Sequence, residues 1–223
     1  MTRTKLADRR LPDYTRGEEI FNMVSHIVGG SLGVIALALC VVFASIKGNP
    51  WAIVSSAVYG ASLVFMYSVS SVYHGLRTNT SKKVMQIIDH CMIYFLIGGT
   101  YTPIAICSVR PVYPGWGWVL FGLVWACAAT AAVFTAIDLK KYAKLSMACY
   151  LCMGWCVIIA VRPVVNSVPI EGLLWLLSGG IAYTIGAAIY GIGKKRRYMH
   201  SIFHLFVVLG SVLQFFCIFF YVI

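Results

Sequence analysis

Uncharged apolar stretches of about eighteen residues or more recur along this chain of 223 residues. Each is long enough to cross a hydrocarbon core of about 30 Å as a helix. Short loops separate them, and these hold Pro, Gly, Asn and nearly all the lysines and arginines. Only 11% of residues are charged, against about 25% in a soluble domain, too few to cover a water-facing surface. Backbone polar groups in lipid must be satisfied internally, which favours helices. The expectation is an all-α membrane protein, a seven-transmembrane-helix bundle with spans over 22–46, 51–73, 88–108, 116–137, 144–161, 171–192 and 201–222. Residues 1–19 read as a cytoplasmic N-terminal arm and 20–223 as the seven-helix domain.

The basic residues set the orientation. Fifteen lie in four alternate segments: Arg3, Lys5, Arg9, Arg10 and Arg16; Arg77, Lys82 and Lys83; Lys140, Lys141 and Lys144; Lys194, Lys195, Arg196 and Arg197. The intervening loops hold only Lys47, Arg110 and Arg162. By the positive-inside rule the N-terminus is inside and the C-terminus outside, which requires an odd number of spans. Trp51, Trp116, Trp118 and Trp175 then fall in an outer interfacial belt. The net charge of +11 is explained by topology, so no nucleic-acid partner is expected. The segment from Asn22 to Ala44 is too long for a signal h-region of about 7–15 residues, so a multi-pass protein of the inner (plasma) membrane is expected. All eight cysteines lie in apolar spans and read as small packing residues.

The third span is the weakest, with Asp89 and His90 at its start and Gly98, Gly99 and Pro103 later. Removing it would put the following loops on the wrong sides. The glycines are expected to permit close packing, and Pro103 a kink that neighbouring helices accommodate. Glu18 and Glu19 are placed to favour the start of the first helix through its dipole. Asp138, in a lysine-rich loop, and Glu171, at the start of span 6, read as solvated or interfacial charges.

An ionisable residue at membrane depth costs about 2.5–3.5 kcal/mol on insertion scales. Here the five histidines and Asp89 all fall toward one side: His26 early in span 1, His74 closing span 2, Asp89 and His90 opening span 3, His200 and His204 opening span 7. His200 and His204 are one turn apart on one helix face, a spacing that suits two ligands of a single metal ion. With His74 at the same depth, three neutral imidazoles make a ligand set for zinc with a fourth position for water; manganese or iron suits the same ligands. Asp89 either binds the metal or holds and deprotonates that water, the second being the better fit. Ser70 shares a face with His74 and either orients a ligand, bonds a substrate carbonyl, or packs as a serine bonded to the backbone. His90 points about 100° away from Asp89 and reads as a supporting or interfacial residue. His26 reads as a hydrogen-bonded bundle histidine. Cys149, Cys152 and Cys156 form a same-face stripe with no histidine or charge beside them, and read as helix packing.

Ser70-Ser-Val-Tyr-His74, Asp89 and His200-Ser-Ile-Phe-His204 together resemble the haemolysin III family, part of one superfamily with the progestin and adiponectin receptors and the alkaline ceramidases. Glu18-Glu19-Ile-Phe-Asn22, Ser25-His26 with Gly29, and Gly98-Gly-Thr-Tyr-Thr-Pro103 carry the resemblance further, from about residue 17 to the C-terminus. It implies an intramembrane zinc site with His74, His200 and His204 as ligands, Asp89 holding a water, Ser70 behind them, and a cytoplasmic N-terminus. It also implies links to lipid-amide hydrolysis, to membrane-lipid homeostasis and to a cytolytic activity. The large soluble N-terminal region of the adiponectin receptors is absent, so no protein hormone is expected as a partner, and the short loops suit a bacterial member.

The leading expectation is a zinc-dependent membrane hydrolase of lipid amide or ester bonds, with Asp89 as base and membrane lipids as partners. A lipid sensor or receptor with structural zinc is the second, and a pore-forming cytolysin the third. The spans hold few polar residues to line a water-filled path, and polarity at one end describes a pocket better than a channel.

Overall fold

The computed structural model describes residues 4–193 and 196–223. Arg3, Lys194 and Lys195, counted above among the orienting charges, lie outside them. Every regular element among the described residues is helical. Seven helical spans are long and apolar enough to cross a membrane: span 1 Arg16–Ile46, span 2 Pro50–Gly75, span 3 Thr80–Val112, span 4 Pro114–Ile137, span 5 Ala143–Ser167, span 6 Ile170–Ile192 and span 7 Met199–Tyr221. They match the seven expected stretches, extended mainly where polar end residues continue a helix past its apolar part.

The chain runs up and down around a closed ring: consecutive spans pack together and span 7 returns to span 1. Span 3 is the most buried of the seven. Two apolar centres result. Spans 3, 4 and 5 meet around Tyr94, Val124, Ala128 and Val164. Spans 1, 2 and 7 meet around Cys40, Tyr59, Tyr67 and Ile218. The outer faces carry exposed Ile27, Val28, Phe65, Val119 and Leu174, the distribution expected where the solvent is hydrocarbon.

Small residues set the closest approaches. A Cβ on Gly60 would stand 2.5 Å from Leu37 Cβ, and one on Gly98 would stand 3.2 Å from the Trp125 ring. Glycine at these two positions lets spans 1 and 2, and spans 3 and 4, press backbone against neighbour. After Pro103 span 3 changes from α to π hydrogen bonding over Ile104–Val109. Proline lacks the N–H that an α-helix needs there, so the ladder shifts register instead of breaking. Span 5 is interrupted by a 3-10 stretch over Cys156–Ala160. The Tyr101 hydroxyl spans the break, donating to Gly154 O at 2.8 Å and accepting from Val157 N at 2.9 Å. A polar group from span 3 thereby satisfies backbone that lipid could not.

The segment before span 1 is fastened to one end of the bundle. Thr4 N donates to Asp138 Oδ2 at 2.8 Å, and Lys83 Nζ donates to Ala7 O at 2.6 Å. Asp138 is therefore not the solvated loop charge expected from its lysine neighbours. It is 1% exposed, and its other oxygen accepts from the backbone of Lys140 and Lys141. The Thr4 N–H, followed by these turn amides, holds its carboxyl down at about 2, because each donor favours the charged form.

Candidate metal centre

Two helix ends place the histidines. The last turn of span 2 carries His74, and the first turn of span 7 carries His200 and, one turn on, His204. The start of span 7 is fixed from span 1. Thr15 and Glu18 form a capping box, with Thr15 Oγ1 accepting from Glu18 N and the Glu18 carboxylate accepting from Thr15 N at 2.8 Å. The free oxygen of Glu18 accepts from Tyr198 N at 2.7 Å. Tyr198 has a φ of 61°, the left-handed region that a bulky side chain rarely adopts. Glu18 thus secures the strained residue that turns the chain into span 7 two positions before His200.

The three imidazoles converge. One ring nitrogen from each of His74, His200 and His204 lies within 4.8 Å of the others. Nε2 of His204 and Nε2 of His200 are 3.0 Å apart. Two nitrogens on a tetrahedral zinc, at bond lengths of about 2.0–2.1 Å, stand about 3.3 Å apart, so the His200–His204 pair needs little adjustment to share an ion. His74 Nδ1 is taken up by Glu19 Oε2 at 2.7 Å, while its buried Nε2 has no partner among the described residues. A donor to Glu19 at Nδ1 leaves the Nε2 lone pair free, the state a metal ligand requires. By donor set, spacing and this orphaned nitrogen, the three histidines fit a metal ion.

Asp89 and Ser70 stand beside this group. The three imidazoles come together without Asp89, which is buried and lines the same cavity as His200, His204 and Ser70. Its one ion contact among the described residues is with His90 Nδ1, at 3.6 Å. Ser71 bonds back to Tyr67 O at 2.7 Å, but the Ser70 hydroxyl makes no such bond among the described residues and faces the cavity wall. His90 donates from Nδ1 to Gln86 O, one turn back in its own helix, at 2.8 Å. His26 differs from expectation. Both its ring nitrogens lack partners among the described residues, and its ring lies flat on His204 with centroids 3.7 Å apart.

The cavity holds about 140 Å³. His200, His204, Asp89 and Ser70 line it together with Leu96, Ile97, Leu151 and Val207, and Thr100, Thr184 and Gln214 add further polar groups to a largely apolar wall. Its wall on span 7 runs from His200 to Gln214, about 21 Å of helix at 1.5 Å per residue. Tyr14 covers the histidines from outside the bundle, its ring stacked on His200. Burial, with Tyr190 and the carboxylates of Glu19, Asp89 and Glu18 nearby, pushes its phenol well above the ordinary value, so it stays protonated.

Sequence reasoning missed Glu19, Lys82 and Tyr14. Lys82, counted only as an orienting charge, is buried, and its Nζ donates to Glu19 Oε1 at 2.7 Å. Glu19, assigned to the helix dipole, bridges His74 and Lys82. The usable signal was depth: an acidic residue at the same end of span 1 as His74 on span 2. Cys149, Cys152 and Cys156 are free, and Cys149 and Cys156 pack in the core of spans 3, 4 and 5.

Comparison with known proteins covers this whole arrangement. Residues 14–215 match the family model described as "Haemolysin-III related". The chain is 37% identical over 206 residues to "Hemolysin-3" of Bacillus cereus, covering 92% of each chain. It is 39% identical over 208 residues to "Hemolysin-3 homolog" of Bacillus subtilis (strain 168), covering 93% of this chain and 96% of that one. A more distant likeness, 25% over 176 residues, reaches the human "Monocyte to macrophage differentiation factor", covering 75% of this chain and 70% of that one. A match that runs from Tyr14 through all three histidines, together with seven membrane-length helices, makes the chain a multi-pass membrane protein of the haemolysin III family.

Proposed function

We propose that the protein is a zinc-dependent hydrolase of lipid amide or ester bonds, acting in membrane-lipid homeostasis from the inner (plasma) membrane with its N-terminus in the cytoplasm. The observation that carries this reading is the site where three imidazoles converge, two of them, His200 and His204, lining a largely apolar cavity together with Ser70 and Asp89. His74, His200 and His204 would hold the ion. When bound, zinc acts as a Lewis acid and lowers the pKa of water toward about 7.

The chain's own groups supply the rest. Asp89 accepts a proton from the attacking water, from a position in the cavity wall and outside the ligand set. The Ser70 hydroxyl, not spent on its own helix, donates to the substrate carbonyl. The apolar wall takes an acyl chain, and its length of about 21 Å exceeds one leaflet of a hydrocarbon core of about 30 Å. Spans 1, 2 and 7 exclude bulk water behind the histidines, where His26, His74 and His204 are all buried.

The name carried by the Bacillus relatives suggests cytolysis. The largely apolar lining of the cavity supports a lipid chamber over a water-filled path. A lipid sensor with structural metal is the second reading, supported by the stacking of Tyr14 over His200. Purified protein in lipid nanodiscs, given ceramide-like and phospholipid substrates, separates the two. The hydrolase reading expects fatty-acid release that a chelator abolishes and added zinc restores. No release from any of these lipids by zinc-replete protein would leave the sensor.

A further inference from the structure

We infer that Glu19 and Lys82 form a positioning pair that makes His74 a metal ligand, so that spans 1, 2 and 3 together set the site's affinity. The inference rests on the metal reading above. One oxygen of Glu19 accepts from His74 Nδ1 and the other from Lys82 Nζ, both at 2.7 Å. Lys82 also donates to Leu76 O at 3.0 Å, the residue that ends span 2 directly after His74 and Gly75. Its ammonium lies 5.3 Å from the centre of the Tyr73 ring.

An exposed ion pair contributes little because water and salt screen it. This pair is different. The His74 side chain is fully covered, that of Lys82 is 4% exposed and that of Glu19 is 20% exposed. A buried lysine is costly without a partner, and Glu19 is its only ion-pair partner among the described residues. The carboxylate therefore has two tasks. Toward Lys82 it neutralises a buried cation. Toward His74 it holds the proton on Nδ1 and fixes the ring plane, as carboxylates behind metal-bound imidazoles do. Without it Nδ1 would have no acceptor, and the tautomer with its proton on Nε2 would present a donor to the ion.

Neither residue reaches the centre where His74, His200 and His204 converge, so both act through His74. A purely structural role would alter folding with and without metal alike. A positioning role alters zinc affinity beyond any effect on the metal-free protein. Two variants separate these. Glu19→Ala removes both bonds. Glu19→Gln/Lys82→Met keeps a neutral acceptor for His74 Nδ1 and removes the cation that a glutamine amide would oppose.

The experiment measures zinc affinity by chelator competition on the full chain in nanodiscs. It adds the visible spectrum of the cobalt-substituted protein and the melting temperature of the metal-free form. Glu19→Ala should bind zinc about 10–100-fold more weakly than wild type, with a shifted cobalt spectrum. The double variant should melt near wild type without metal and bind zinc with intermediate affinity. Wild type that binds zinc while both variants match it within twofold, with unchanged cobalt spectra, would overturn the pair's role and leave the metal site standing. Wild type that binds no zinc or cobalt would overturn the metal reading and this inference with it.

Discussion

Tyr14 lies flat on His200, with ring centroids 5.0 Å apart and planes 12° from parallel. The contact closes the histidine group from the side of the N-terminal arm, and the same ring stands 5.9 Å from that of His74. Tyr14→Ala opens this side, so the protein should lose metal to an added chelator several-fold faster at similar equilibrium affinity. Tyr14→Phe keeps the stacked ring and should exchange at the wild-type rate. Stopped-flow chelation measures both, and equal rates for all three proteins would show that the stack does not limit access.

The arm's anchor at Asp138 predicts an acid-sensitive contribution to stability. Its carboxyl sits at about 2 in the folded protein, below its ordinary 3.8. A depressed value means that the contribution is fully present above the ordinary pKa and is lost as pH falls through the folded one. Asp138→Asn should therefore melt a few degrees below wild type at pH 6, and the gap should close between about pH 4 and pH 2. A gap independent of pH would assign the effect to packing and not to the charge.

The architecture was legible because its signals are local. Apolar length gives seven spans, and Gly98, Gly99 and Pro103 announce close packing and a kink within span 3, where the structure has a stretch of π hydrogen bonding. The histidine cluster was legible because His74, His200 and His204 share one membrane depth, and the ring closure of span 7 on span 1 turns shared depth into proximity. What was hidden depends on long-range pairing. Nothing next to Glu19 or Lys82 in sequence reveals that they meet over His74, since a lysine beside a span looks the same whether it orients the protein or enters its core. Asp138 was misread for the same reason. Its adjacent lysines suggested solvation, whereas its main partner, Thr4, is 134 positions away.

The three histidines should hold the metal unequally to anything else in the chain. His74→Ala, His200→Ala and His204→Ala each remove one imidazole of three and should lower zinc content of purified protein to a small fraction of wild type. Replacing Cys149, Cys152 and Cys156 together with alanine should leave it unchanged. Atomic emission on protein of known concentration reads this directly. Full zinc retention in His200→Ala/His204→Ala would place the metal elsewhere.

The orientation proposed from the basic segments can be read in cells. Reporters fused after Lys83, Lys140 and Arg196 should report the cytoplasm, and one fused after Ile223 the opposite side. Termini on the same side would require an even number of spans and would undo the placing of the histidine cluster on the cytoplasmic side.

The central claim is that the histidine cluster and Asp89 perform chemistry on a lipid, and Asp89→Asn tests it most directly. Asparagine keeps the shape but cannot take a proton from water. Asp89 stands outside the group of three convergent imidazoles, so the variant should keep most of its zinc and its melting temperature. Measured with zinc content in the same sample, fatty-acid release from ceramide-like and phospholipid substrates should fall by about 10²–10⁴-fold, the usual contribution of a general base. Release undiminished in Asp89→Asn, or zinc and stability lost together with no wild-type release to compare, would contradict the account.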